Sequence, residues 1–162
     1  MSAIMPAPFV SSVMAIEPAW IDYNGHLRDA YYGVAFSLAI DDVMDQIGLD
    51  ADYRARTRGT LYTLEMHCHF LHEVKQSDAL RVRSVVLDAD AKRILLAGVF
   101  ERGADRAVAS VAEAMLLHVV QSEQTKSAPL PAAIADRVER LKRAAEWSAD
   151  WPRSRALALR PR

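Results

Sequence analysis

The stretch from Ala30 to Ile47 constrains the fold of this chain more than any other. Tyr32, Phe36, Ala39, Ile40, Val43 and Ile47 recur at helical spacing on one face, and Gly33, Ser37, Asp41 and Asp45 form a polar stripe at spacing four. Tyr31, Val34, Ala35 and Leu38 widen the apolar arc, so the helix is expected to be covered over most of its circumference. Gly48 stands where a helix would end. Such a helix needs something to wrap it, and the residues that follow supply it. From Thr60 to Leu71 the side chains alternate, with Tyr62, Leu64, Met66, Cys68 and Phe70 on one face and Thr63, Glu65, His67 and His69 on the other. Three more strands are expected at Ala79–Leu87, Arg93–Arg102 and Arg106–Val120, separated by turn signals at Asp88–Asp90 and Gly103–Asp105. The run VASVAEAMLLHVV also has helix propensity, but its β-branched ends and the short turn before it favour a strand.

Around this centre, Phe9 to Ile16 reads as a first strand and Tyr53 to Gly59 as a basic connector. Beyond Gln121 the sequence turns polar, with a short charged surface helix after Pro131 and a loose tail from Ser148. The order is strand, helix, then four strands at hairpin-length spacing, which implies an antiparallel sheet. A long strand has to curve, and a curved sheet around one buried helix is the α+β "hot dog" arrangement. Residues 1–125 are read as that domain and 126–162 as a helical extension with a tail. One sheet and one helix leave an edge and a face bare, so a homodimer or a dimer of dimers is expected.

Composition limits the functional classes. At 162 residues, 51% hydrophobic and 25% charged, the chain is an ordinary globular domain in type. Its net charge of −1 gives no reason to expect a nucleic-acid surface. The lone Cys68 suits a reducing cytoplasm. No stretch approaches the ~20 apolar residues of a membrane span, and Pro6 and Pro8 interrupt the first apolar run, so no signal peptide or membrane partner is expected.

The segment between the first strand and the helix holds the densest chemistry: WIDYNGHLRDAYY, residues 20 to 32. An Asp-x-x-Gly-His ahead of a helix is by itself an ordinary capping turn. Placed before a buried helix, and followed by Leu61–Val82 (LYTLEMHCHFLHEVKQSDALRV), it resembles the acyl-CoA thioesterases of the 4-hydroxybenzoyl-CoA thioesterase type. The resemblance spans about residues 10 to 120. Within that family, Trp20–His26, Ala51–Thr57 and the Lys92-Arg93 pair are similar to the betainyl-CoA thioesterases of carnitine breakdown. Those often occur fused to L-carnitine dehydrogenase, whose Gly-rich fingerprint this chain lacks. Two departures stand out. Leu27-Arg28-Asp29 replaces the subgroup's usual Met-Asn start, with Asp29 positioned to take over helix capping, and Ser77 replaces the turn glycine before Asp78.

The resemblance implies hydrolysis of a short polar acyl-CoA to the acid and CoA, without a cofactor. It implies Asp22 as the catalytic carboxylate, either a general base on water or a nucleophile forming a mixed anhydride. Backbone N–H groups from Gly25 to Leu27 were expected at the helix's positive end to polarise the thioester carbonyl, with His26 donating or bracing. Asn24, Trp20 and Tyr31 are candidate substrate contacts, the aromatics for a cationic acyl group. Glu65 is a candidate to hold that cation, and Lys92 and Arg93, with Arg54, Arg56 and Arg58 nearby, to hold the CoA phosphates. His67, His69 and His72 beside Cys68 invite a metal, but they do not share one face and none is expected. Two alternatives remain: a hot-dog enoyl-CoA hydratase, against which the four-residue Asp22–His26 spacing and Gly25 in place of Pro argue, and a non-catalytic acyl-CoA-binding protein.

Overall fold

A computed structural model of the chain describes residues 10–159. Phe9 of the expected first strand and the run bearing Pro6 and Pro8 lie outside the described residues. The elements are β1 (Val10–Met14), α1 (Asp29–Ile47), α2 (Ala51–Thr57), β2 (Gly59–Phe70), β3 (Leu80–Ala89), β4 (Arg93–Arg102), β5 (Ala107–Val120), β6 (Lys126–Ser127) and α3 (Ala132–Arg143). The strands form one antiparallel sheet in the order β1-β3-β4-β5-β2, and β6 pairs with the far end of β5. Here β5 is a strand of 14 residues, because β4 and β2 pair along its two sides and override its helix propensity. The sheet curls around α1, the hot-dog arrangement.

The core lies between α1 and the inner sheet face. Phe36, Ala39, Ile40, Val43 and Ile47 pack with Val82, Val86, Ile94, Leu96, Phe100 and Leu116. Gly98 permits the closest approach, since a Cβ there would stand 2.7 Å from Phe36 Cε2. Ser12 of β1 donates to Asp42 of α1 and ties the helix to the sheet's edge. The expected burial of α1 is reached on one face only: Val34 and Leu38 remain 41% and 47% exposed in the single chain.

Four expectations are corrected. The basic connector is a helical turn, because Asp50 caps it by accepting from the Tyr53 N–H at 2.8 Å. The alternation of β2 does not run through: Thr63 pairs with Leu116 and Glu65 with Met115, leaving Leu64 as an extra residue in a β-bulge. The bulge switches faces, so Leu61, Met66 and Cys68 pack on the core while Tyr62 and Leu64 stay exposed.

The tail is the third correction, for it is docked on the outer sheet face. Glu113, almost wholly buried in mid-β5, accepts from Arg153 Nε at 2.9 Å and from the Ser154 N–H. Leu157 is buried against Leu95 and Met115. Trp147 and Trp151 meet edge to face at 5.2 Å, with Arg153 over one ring and Arg83 over the other. Helix α3 also does more than lie on the surface, burying Ile134 and Val138 in the core cluster. Among the described residues no helix is long and apolar enough to cross a membrane.

Candidate active site

The loop ahead of α1 folds as a miniature hairpin. Ile21 bridges Leu27, the Asp22 N–H donates to the His26 carbonyl at 2.8 Å, and the Gly25 N–H returns to the Asp22 carbonyl at 3.0 Å. Gly25 makes the reversal at φ 79°, a region open to glycine at little cost. Asp22 Oδ1 sits inside the turn and accepts from the N–H groups of Asn24 (2.8 Å) and His26 (3.2 Å). The His26 N–H chiefly, and the Asn24 N–H with the nearby His26 and Arg28 side chains, hold the Asp22 carboxyl below its ordinary value, against a smaller opposing effect of burial. Oδ2 has no hydrogen-bond donor among the described residues.

This loop and the segment after β2 line one open pocket of about 490 Å³. Its walls are Asp22, Tyr23, His26, Leu27, Arg28 and Asp29 on one side, with Tyr32 and Phe70–Glu73 on the other. The two sides are stitched together: the Leu27 N–H donates to the Val74 carbonyl at 2.7 Å, and His26 bridges Lys75. Tyr32 is buried with its ring edge on Phe70 at 5.0 Å, and burial pushes its phenol up to about 12, so it stays a neutral donor.

The N–H groups that the sequence offers as polarising donors are already engaged. The N–H groups of Gly25, His26 and Leu27 are all spent within the loop or on Val74, because the hairpin closes before α1 begins. Arg28, the N-cap, sends its N–H to the Trp20 carbonyl at 2.9 Å. Asp29 is the first residue of α1, and its N–H has no acceptor among the described residues. Its carboxylate accepts from the Ala30 N–H, one residue on, so α1 carries no side-chain N-cap and Asp29 does not fill that role.

The other expected contacts disperse. Trp20 is buried and stacks on Tyr31 at 5.3 Å, both outside the pocket lining, where they brace the start of α1. Asn24 is exposed at the tip of the turn and contributes its N–H to Asp22. Glu65 pairs with Met115, whose side chain faces outward, so Glu65 points away from the core side and does not line the pocket. Lys92 and Arg93 stand at the far end of β4 from Phe100, about 23 Å by strand rise. There Asp90 holds Arg93, and Lys92 Nζ reaches Ser127 Oγ at 3.3 Å. Of the histidines, only His26 and His72 line the pocket. No three His, Cys, Asp or Glu side chains come together as a metal-binding group among the described residues.

Sequence reasoning missed Glu73, Phe70 and Leu71 as pocket residues. The alternation grouped Phe70 with Met66 and Cys68, so its 54% exposure at the strand's end had no signal in the sequence. Glu73 lay in the quoted second motif, but only the hairpin of residues 21–27 pairing with Val74 and Lys75 brings it beside Asp22.

The sequence model of the Thioesterase-like superfamily matches residues 16–138. A betainyl-CoA thioesterase of Pseudomonas aeruginosa is 44% identical over 125 residues, spanning 76% of this chain and 77% of that protein. An L-carnitine dehydrogenase/betainyl-CoA thioesterase of a Rhizobium species is 32% identical over 123 residues, which is 76% of this chain but 24% of the longer protein. Staphylococcus aureus protein SAV2348, solved in complex with CoA, superposes with a TM-score of 0.82 over 99% of this chain and 100% of its own. At 24% identity that likeness is one of fold.

Proposed function

The chain belongs to the Thioesterase-like superfamily, and on that premise we propose that it hydrolyses acyl-CoA thioesters in the pocket between the hairpin and the segment after β2. The observation that carries this reading is one pocket lined both by Asp22, its carboxyl held below the ordinary value, and by Asp29, whose N–H at the start of α1 has no acceptor among the described residues. Thioester hydrolysis needs a group to activate or deliver an oxygen nucleophile and a donor for the charge that develops on the carbonyl oxygen. With Asp22 as general base, a water oxygen bonds to the carbonyl carbon while Asp22 takes the proton. The C–S bond then breaks, and the CoA thiolate leaves and is protonated. With Asp22 as nucleophile, the same carbon passes through a mixed anhydride that water opens. Either route places the developing oxyanion at the Asp29 N–H, at the positive end of a 19-residue helix.

The substrate proposed is a short polar acyl-CoA, with betainyl-CoA first, a choice supported by the 44% identical relative. The working unit proposed is a homodimer through the bare edge of β2. Tyr62, Leu64, Val34 and Leu38, exposed in the single chain, would be covered there. The division into residues 1–125 and an extension at 126–162 remains part of the same proposal.

The test measures CoA release from a panel of acyl-CoAs including betainyl-CoA, for wild type and Asp22→Asn. The variant should lose about 10²–10⁴-fold in kcat/KM. Full activity in the variant removes Asp22 from the mechanism. Binding without turnover in the wild type favours a non-catalytic acyl-CoA-binding protein.

A further inference from the structure

We propose that Glu73 and the aromatic pair Phe70–Tyr32 form a seat for a cationic acyl head group, and that Glu73 sets the site's preference for positively charged over neutral acyl-CoA substrates. The proposal rests on the thioesterase reading and adds to it the residues that choose the acyl group. Three carboxylates line the pocket, Asp22, Asp29 and Glu73, against a single guanidinium, Arg28, and two imidazoles. The first two are engaged locally: Asp22 Oδ1 braces its own turn, and Asp29 Oδ1 accepts from the Ala30 N–H. The Glu73 carboxylate is different. It makes no ion pair and no hydrogen bond to another residue among the described residues, and the Arg102 guanidinium beside it binds the Glu73 main-chain carbonyl instead. Its own N–H, with Arg102, His26 and Lys75 at longer range, holds it below the ordinary value against a small effect of desolvation, so it is charged across the physiological range.

Beside it stands an aromatic wall. Phe70 is 54% exposed although its ring edge rests on Tyr32, and Tyr32, only 3% exposed, lines the pocket with a phenol that has no hydrogen-bond partner among the described residues. A quaternary ammonium carries no N–H to donate, so it is recognised through Coulomb attraction and ring faces alone. An exposed ring beside an unpaired carboxylate offers both. An acyl group ending in a carboxylate would meet Asp22 and Glu73 as like charges.

The experiment compares betainyl-CoA with 3,3-dimethylbutyryl-CoA, whose tert-butyl group matches trimethylammonium in shape without the charge. The readout is the ratio of the two kcat/KM values. In Glu73→Gln the ratio should fall about fivefold, through KM for the cationic substrate, and Glu73→Asp should retain most of it. Phe70→Leu should lower it about two- to fivefold. An unchanged ratio in Glu73→Gln, or an equal fall for both substrates, overturns the proposal. So does a wild type that hydrolyses other acyl-CoAs and neither of these two, an outcome that leaves the thioesterase reading standing. Release of CoA from no thioester overturns the thioesterase reading itself, and this proposal with it.

Discussion

The loop of residues 21–28 and the tail of residues 147–159 are both irregular, yet they are held in opposite ways. The loop supplies most of its own partners: the Asp22 carboxylate and carbonyl absorb the N–H groups of Asn24, His26 and Gly25 within four residues. The tail leans on the sheet, through Glu113 some 40 residues away in sequence and through Leu95 and Met115. A segment closed largely on itself depends less on its neighbours. One anchored at a distance shares the fate of its anchor.

That contrast can be broken or sharpened by substitution. The largest effect on stability is expected at the tail. Arg153→Ala leaves the buried Glu113 with only the Ser154 N–H. Because Arg153 is 43% exposed, water offsets part of the loss, and the cost should be about 1–3 kcal/mol in urea unfolding. The chain has three tryptophans, and Trp147 and Trp151 both lie in the tail, so its emission should shift to the red while acyl-CoA turnover persists. Loss of turnover would show that the two regions are coupled. Next comes Gly25→Ala. Nothing lies within 4 Å of the new Cβ, so only the positive φ of 79° is charged against it, about 1–2 kcal/mol. Turnover should fall and the tail's emission should not move. The smallest effect is on pH dependence between pH 5 and 8. Since Asp22 is held below its ordinary value, it stays ionised throughout that window and titrates below the usual carboxylate range. Any stability it contributes is present above its unfolded value and lost as pH drops through the folded one. The Asp22 limb of kcat/KM should therefore lie below pH 5, leaving the profile without an Asp22 limb between pH 5 and 8. A limb near pH 6 assigns the proton transfer to another group.

The same contrast explains what could be read from the sequence. The helical period located α1, and turn signals bounded β4 and β5, to within a residue of their ends, because each is a local rule. Asp22 stood out for a similar reason, its turn being written in five consecutive residues. Where the reading failed, the cause was a contact between distant segments or one inserted residue. The N–H without an acceptor among the described residues is that of Asp29 rather than those of Gly25–Leu27, because residues 21–27 close on themselves and pair with Val74 and Lys75, which no local pattern announces. Tyr62 changed sides because Leu64 is one residue too many opposite β5. The docked tail was illegible for lack of any regular period.

The bulge at Leu64 has a further consequence for this edge of the sheet. An unpaired strand of 12 residues, flat and regular, is a template that any extended chain can copy and pass on, the first step toward a fibril. A bulge breaks the ladder's repeat partway along, so an incoming strand must carry a matching irregularity to pair over the full length. A second copy of this chain carries that irregularity; an arbitrary unfolded segment does not. One surplus leucine thus acts as a password on the open edge of β2.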